Sequence, residues 1–165
     1  MRLAYNTSGV SRLYDPTIFF DTSTASTYMQ TLKVDRASLD EHVLFPTRQS
    51  ILSLLSRKEN WDGRGSEAPD FAAVQRALTF VRTFYLHAQA TDNVIGYEWV
   101  RPHVSSSEDG EVVLEWWKRD HKLTIYISKD SADFLKVWGP NIATEMADGP
   151  VMGNQFQGLW LWLNA

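Results

Sequence analysis

The sequence predicts an α+β fold, a two-layer sandwich in which two helices pack on an antiparallel meander of four to five strands. Two features of the sequence predict it. Between residues 71 and 88 the apolar positions recur at helical spacing, and from about residue 95 onward they alternate with polar ones. Helices followed by strands are typical of a helical layer that covers one face of a meander.

The first helix is predicted over 47–58, where Pro46 and Thr47 give a start signal. The second helix is predicted over 69–89, because a proline is favoured at the first position of a helix. The apolar stripe of the second helix consists of Phe71, Val74, Leu78, Val81, Tyr85 and Ala88.

Period-two alternation predicts a hairpin, with strands over 111–116 and 123–128 joined by a polar turn. Further strands are predicted over 133–138 and 142–147, and residues 97–100 are expected to open the sheet, with Pro102 confining them to an edge or a strand end. The sheet face expected against the long helix carries Val112, Leu114, Trp116, Leu123, Ile125 and Ile127.

At 165 residues the chain is predicted to be a single domain. A Ser/Thr-rich arm or subdomain is expected over 1–40, an α+β core over 41–150 and an aromatic tail over 151–165. The tail is interpreted as an edge strand or a short docked segment. No apolar stretch has the length of a signal peptide or a membrane span, so the chain is expected to be cytoplasmic and away from membranes.

The composition excludes several kinds of catalytic and metal site. Cysteine is absent, which removes disulfides, thiolate nucleophiles and cysteine-ligated zinc. The net charge of −4 is mild and argues against a dedicated binder of duplex DNA. No two histidines have metal-ligand spacing, and we find no catalytic constellation. We therefore expect neither a catalytic residue, a metal nor a cofactor.

The segment NWDGRGSEAP, residues 60–69, has strong turn punctuation. Asp62 before Gly63 suits an Asx turn, and Trp61 is expected to plug the loop onto the sheet. The alternative is an anion cradle of glycine amides beside Arg64. The motif residues, which we interpret as structural, are Asn60, Trp61, Asp62, Gly63, Gly65 and Pro69.

This loop resembles a motif of small uncharacterised bacterial and phage proteins, N-W-D-G-x-G-A followed by a proline and a helix. Their later strand pattern G-x-[IV]-x-L-E-W is matched by Gly110, Val112, Leu114, Glu115 and Trp116. The resemblance covers about residues 50–150, and Ser66 stands where the motif has alanine. It implies a prokaryotic or phage origin and no particular activity.

Seven tryptophans in 165 residues favour a binding protein, because tryptophan is enriched among residues that dominate protein interfaces. Our first hypothesis is a non-catalytic protein-binding module, an accessory or regulatory subunit of a defence, counter-defence or toxin–antitoxin system. Another protein is the expected partner, and homo-oligomerisation stays open. The candidate partner-binding residues are Trp117, Tyr126, Trp160, Trp162, Phe19 and Phe20.

The alternative is a nucleic-acid binder or nuclease-like enzyme, since aromatic side chains on a sheet can stack unpaired bases. The candidate residues are Trp117, Arg119, His121, Lys122 and Tyr126. A nuclease centre built from Asp109, Glu115 and Lys118 is disfavoured, because residues three apart on a strand point to opposite faces.

Overall fold

The computed structural model describes residues 39–95, 98–141 and 143–165, without the side chains of 92–95. The chain divides into two units, Met1–Leu39 and Asp40–Ala165. The fold described below is that of the second unit. Residues 1–38 of the predicted arm lie outside the described residues.

Three helices occur in the described part of the chain. Helix α1 covers residues 39–53 and continues into a 3-10 turn at Leu54–Ser56. Helix α2 is Phe71–Ile95. Helix α3 is Phe156–Leu163 and follows a 3-10 turn at Gly153–Gln155.

Five strands form one antiparallel sheet in the order β1-β2-β3-β4-β5. They are β1 (His103–Ser106), β2 (Val112–Lys118), β3 (His121–Ile127), β4 (Ala132–Val137) and β5 (Met146–Pro150). The helices pack against the sheet, and both α2 and α3 contact β2 and β3. The predicted α+β meander is therefore confirmed.

Helix α2 begins one residue after Asp70, whose carboxylate caps it. The Oδ1 atom of Asp70 accepts hydrogen bonds from the amides of Ala72 at 2.6 Å and Ala73 at 3.3 Å. A capping carboxylate satisfies amides that have no partner in the first turn. The predicted start at Pro69 is therefore two residues early.

The buried face of α2 is wider than the predicted stripe. Val74, Val81, Tyr85 and Ala88 are buried as predicted. Phe71, the first residue of the helix, was predicted to be buried and is 64% exposed, and Leu78 is half-buried. The additional buried apolar positions are Ala73, Ala77, Phe80 and Phe84.

Helix α1 covers residues 39–53, so the predicted start at residue 47 is eight residues late, and Pro46 lies inside the helix. The correct period is visible in the buried positions Leu44, Thr47, Ile51 and Leu54, spaced three or four residues apart.

The predicted inner face of the sheet is confirmed on both central strands. All six predicted residues are completely buried, and the cross-strand pairs Leu114–Ile125 and Trp116–Leu123 align them on one face. Trp116 also donates its indole N–H to the carbonyl oxygen of Val100 at 2.9 Å, which satisfies the one polar atom of this buried side chain.

The sheet edges differ from the prediction. Residues 98–100 have no regular structure, Tyr97 lies outside the described residues, and the first strand starts after Pro102. The last strand was predicted over 142–147. It begins at Met146 and ends at Pro150, so it includes residues 148–150, which were predicted to follow it. A proline at the end of an edge strand removes a donor that the sheet does not need.

The aromatic tail forms a helix, α3, that packs on α2 and on the sheet, so the edge-strand alternative is wrong. Its buried residues Phe156, Leu159, Trp160 and Leu163 recur at spacings of three, one and three, which puts them on one helical face. The run is short and almost entirely apolar, so periodicity alone does not separate a strand from a helix.

The turn between β1 and β2 closes against the segment that leads into α2. Gly110 has φ of 75°, and a Cβ atom there would lie 2.7 Å from the carbonyl oxygen of Ala68. The carbonyl of Gly110 also accepts the amide of Asp70 at 3.1 Å. Only glycine fits this junction without strain.

We predict that Gly110→Ala lowers the free energy of unfolding by about 1–3 kcal/mol. The matched control is Gly158→Ala, since Gly158 lies in α3 with open space around it. That change should raise the free energy of unfolding by about 0.5–1 kcal/mol. Urea denaturation measures both, and an equal effect of the two alanines would refute the close approach at Gly110.

Candidate functional site

The face of the sheet that points away from the helices, called the outer face below, carries a row of four side chains. Trp117 on β2 is opposite Lys122 on β3, Lys122 is opposite Val137 on β4, and Val137 is opposite Met146 on β5. Directly opposed residues of antiparallel strands share a face. We call Trp117, Lys122, Val137 and Met146 the outer row.

The outer row is accessible and mainly apolar. Trp117 is 50% exposed, Met146 is 37% exposed and Val137 is half-buried. In the next row along the strands, Thr124 is completely covered. Exposure of large apolar side chains is therefore concentrated at one end of the outer face.

The only cation of the outer row has an ion-pair partner. The ammonium nitrogen of Lys122 lies 2.6 Å from Oε1 of Glu115. His103 Nδ1 lies 3.5 Å from Oε2 of the same carboxylate, and Thr124 donates to Oε1 at 3.5 Å. The positive charge of Lys122 is thus balanced locally, and the row presents little net charge.

Two neighbours position the indole of Trp117. The Lys122 ammonium lies 5.2 Å from the centroid of the Trp117 ring, within the range of a cation–π contact. The ring of His103 lies 6.1 Å from it. Lys122 and His103 therefore restrict the exposed indole, which loses less conformational entropy on binding than an unrestricted side chain would.

The structure separates the residues of the nucleic-acid hypothesis. Trp117, Lys122 and Tyr126 share the outer face by strand alternation. His121 is on the inner face, where its ring lies 4.6 Å from that of Trp162. Arg119 is in the two-residue turn with φ of 55°. The predicted five-residue surface is therefore not one surface.

The cations near the β2–β3 turn are bonded to the chain itself. Lys118 donates to Oδ1 of Asn164, and Arg119 donates to the carbonyl oxygen of Ala165 at 3.4 Å. Lys122 is paired with Glu115. Binding phosphates here would compete with existing contacts.

The tryptophans of α3 are not exposed anchors. Trp160 is completely buried between Trp99, at a centroid distance of 5.3 Å, and Phe84, at 6.0 Å. Its assignment to a partner site is corrected, since it belongs to the core. Trp162 is half-buried against His121 and Trp138. Phe19 and Phe20 lie outside the described residues.

The loop over residues 60–66 is held by its own polar side chains. Asp62 Oδ1 accepts hydrogen bonds from the Arg64 amide and the Ser66 hydroxyl, both at 2.8 Å, which is the expected Asx turn. Asn60 Oδ1 accepts the Gly65 amide at 2.8 Å. Ser66, the departure from the resembled motif, is buried and adds a bond that alanine lacks.

These bonds bear directly on the anion-cradle alternative. The amide of Gly63 donates to the carbonyl of Asn60, and those of Arg64 and Gly65 donate to the side chains of Asp62 and Asn60. An anion would find three consecutive amides already bonded. The structural interpretation of the motif is therefore the better one.

Trp61 was predicted to fix the loop onto the sheet, and this prediction is wrong. It is 39% exposed, and the Arg57 guanidinium lies 4.3 Å from the centroid of its ring. Arg57 also donates to the hydroxyl of Ser106 on β1 at 2.7 Å. The link between loop and sheet is thus made by the arginine.

The three residues of the nuclease alternative do not converge. Glu115 is on the outer face, Lys118 bonds to Asn164 on the inner side, and Asp109 lies in the turn at the far end of β2. Within the described ranges, no group of three or more histidine, aspartate or glutamate side chains is arranged to hold a metal ion.

Comparison with known proteins adds no relative, since no family model, curated protein or solved structure matches the chain. No helix among the described residues is long and apolar enough to cross a bilayer. The geometry of the chain is therefore the main basis for proposing a function. The sequence did not identify Val137 and Met146 as members of the outer row, because the pairing of β4 with β5 sets their position.

Folding lowers the pKa of Asp62, so the free energy of unfolding depends on pH through this residue. The Arg64 amide, and then the Ser66 hydroxyl, donate to its carboxylate and hold the pKa of Asp62 below its ordinary value of 3.8. Since this pKa is lowered by folding, the stabilisation is present above pH 3.8 and is lost as the pH falls through the folded value.

We therefore predict that Asp62→Asn lowers the free energy of unfolding at neutral pH, because the amide oxygen is a weaker acceptor. The difference from the wild type should shrink as the pH is lowered below 3.8. Asp109→Asn is the matched control at an exposed turn position and should change little. A difference that persists unchanged in acid would contradict this role of Asp62.

Proposed function

We propose that the chain is a non-catalytic protein-binding module and that the outer row is its docking surface. The observation that carries the proposal is Trp117, a half-exposed indole fixed on a strand, with exposed Met146 in the same row. The row's only cation, Lys122, is already paired with Glu115. Such a surface is apolar at its centre and nearly neutral.

A surface of this kind suits a protein partner. Tryptophan and methionine are enriched in the centres of protein interfaces, where large apolar side chains lose their water. The Glu115–Lys122 pair needs no counter-charge from the partner. The outer face also carries Asp133 on β4 and Asp148 on β5, which can contribute to a polar rim.

The nucleic-acid alternative is less well supported. Binding to a phosphate backbone rests on cations whose counterions are released. Lys118, Arg119 and Lys122 each have a partner within the chain, and Asp133 and Asp148 add negative charge to the same face. Trp117 and Tyr126 could still stack bases, so nucleic acid is tested directly below.

The biological setting is part of the proposal and rests on the loop motif alone. The resemblance of residues 60–69 to bacterial and phage proteins favours a prokaryotic or phage setting. We propose an accessory or regulatory subunit in the cytoplasm, in a defence, counter-defence or toxin–antitoxin system. The catalytic work of such a system would belong to the partner.

Affinity purification of the tagged chain from its native host, with mass spectrometry and absorbance at 260 nm, tests the proposal. We predict a stoichiometric protein partner whose recovery falls about tenfold with Trp117→Ala, as expected for an interface anchor. Trp61→Ala is the matched control, since Trp61 is exposed on the loop. It should retain the partner.

Circular dichroism must show that both variants are folded. Equal recovery with Trp117→Ala and Trp61→Ala would remove the outer row as the docking surface. Co-purified nucleic acid that is released by salt and lost with Trp117→Ala would favour the alternative. A monomer with neither partner would contradict both.

A further inference from the structure

A second surface with different chemistry follows the exposed side of α2. Its first part is a cavity of about 490 Å³ between α1 and α2, and its second part extends along α2 to Phe71. Gln75 and Thr79 line both parts, so the two are adjacent. We call this surface, from Phe71 to Leu86, the α2 groove.

The apolar residues of the α2 groove form one stripe. Phe71, Leu78 and Leu86 are spaced seven and eight residues apart, about two helical turns each. Phe71 is 64% and Leu86 48% exposed. With a rise of 1.5 Å per residue the stripe is about 22 Å long, the length of a four-turn helix. Large apolar side chains that stay exposed along one helix are typical of association surfaces, and Leu78 between them is half-buried.

The charged side chains of the groove are mainly cations. Arg48, Arg76, Arg82 and Lys129 line it together with one carboxylate, Glu41, which leaves an excess of three positive charges. This excess lies on a chain whose net charge is −4. The groove is therefore a local positive region whose sign is opposite to that of the whole molecule.

The contacts of these cations leave their charge largely available. Glu41 pairs with Arg48. Arg76 donates twice to the neutral carbonyl oxygen of Lys129, at 3.1 and 2.9 Å, so its charge is not cancelled. Arg82, midway between Leu78 and Leu86, makes no hydrogen bond or ion pair with the part of the chain that the structure describes.

We propose that the α2 groove binds an acidic amphipathic helix of another protein. Apolar side chains about two turns apart on that helix would pack on Phe71, Leu78 and Leu86, as a helix packs in an apolar groove. Carboxylates beside them would pair with Arg82 and the neighbouring cations. A basic or uncharged helix would leave the guanidinium of Arg82 without a partner.

No helix in the part of the chain that the structure describes would let a second copy act as such a partner. Among the described helices, the sequence of α1 has only two carboxylates, Asp40 and Glu41, that of α2 has only Asp92, and that of α3 has none. The proposal is independent of the outer row, because the two surfaces lie on different elements. Together they would let the chain hold two partners at once.

The test uses the full chain and two labelled synthetic helical peptides of about 16 residues. Both have leucines about two turns apart, and the flanking positions are glutamate in one and lysine in the other. Fluorescence anisotropy measures binding to the wild type, to the groove variants Arg82→Glu and Leu86→Ser, and to the controls Arg64→Glu and Trp117→Ala. Arg64→Glu makes the same charge change on the exposed loop, outside the groove.

We expect salt-dependent binding of the glutamate peptide and none of the lysine peptide. Arg82→Glu and Leu86→Ser should each weaken it about tenfold, and Arg64→Glu and Trp117→Ala should leave it unchanged. No binding of the glutamate peptide, equal binding of both peptides, or equal effects of Arg82→Glu and Arg64→Glu would overturn the proposal. Displacement of the peptide by a single-stranded oligonucleotide at lower concentration would assign the groove to nucleic acid instead.

Discussion

Phe84 lies where α2, the sheet and α3 meet, and its aromatic contacts join the three. Its ring lies 5.1 Å from that of Trp116 on β2, 5.9 Å from Phe156 and 6.0 Å from Trp160, both on α3. The Trp116 and Trp160 rings stand edge-on to it, and that of Phe156 is tilted. Edge-to-face pairs stabilise a core beyond the area they bury. A sheet with one apolar face needs such a cover, and both helices provide it.

The same core decides which tryptophans are available to a partner. Trp116 and Trp117 are adjacent on β2, and strand alternation sends one into the core and the other to the outer face. Trp160 is completely buried where α3 packs over the sheet. High tryptophan content therefore serves folding and surface chemistry through different residues, and the position of each residue in the fold separates the two uses.

Sequence periodicity predicted the strongly patterned parts of the fold. Alternation over β2 and β3 identified the buried face, because a one-residue shift in register would move the whole apolar set of that face to the other side of the sheet. The Asx turn at Asp62 followed from local chemistry that needs no tertiary contact. The two-residue turn after Lys118 was likewise visible as a polar break between alternating runs.

The missed features depend on contacts between distant segments. Helix α3 is apolar on several sides because it covers a sheet, so its period was not readable. Pro46 resembles a helix start and lies within α1, where packing of Leu44 and Ile51 outweighs the lost donor. His121 was predicted to lie on an exposed surface, and the strand register places it against Trp162. The outer row required the pairing of four strands.

Hydrogen exchange of the indole N–H groups tests most directly whether adjacent tryptophans are divided between core and surface. The Trp116 indole donates to Val100 within the core, whereas Trp117 is half-exposed. In D2O, with signals assigned through tryptophan-to-phenylalanine variants, we predict that the Trp116 signal persists until the chain unfolds globally and that the Trp117 signal disappears at once. Equally fast exchange of both would contradict it, since the aromatic cover would then open without unfolding.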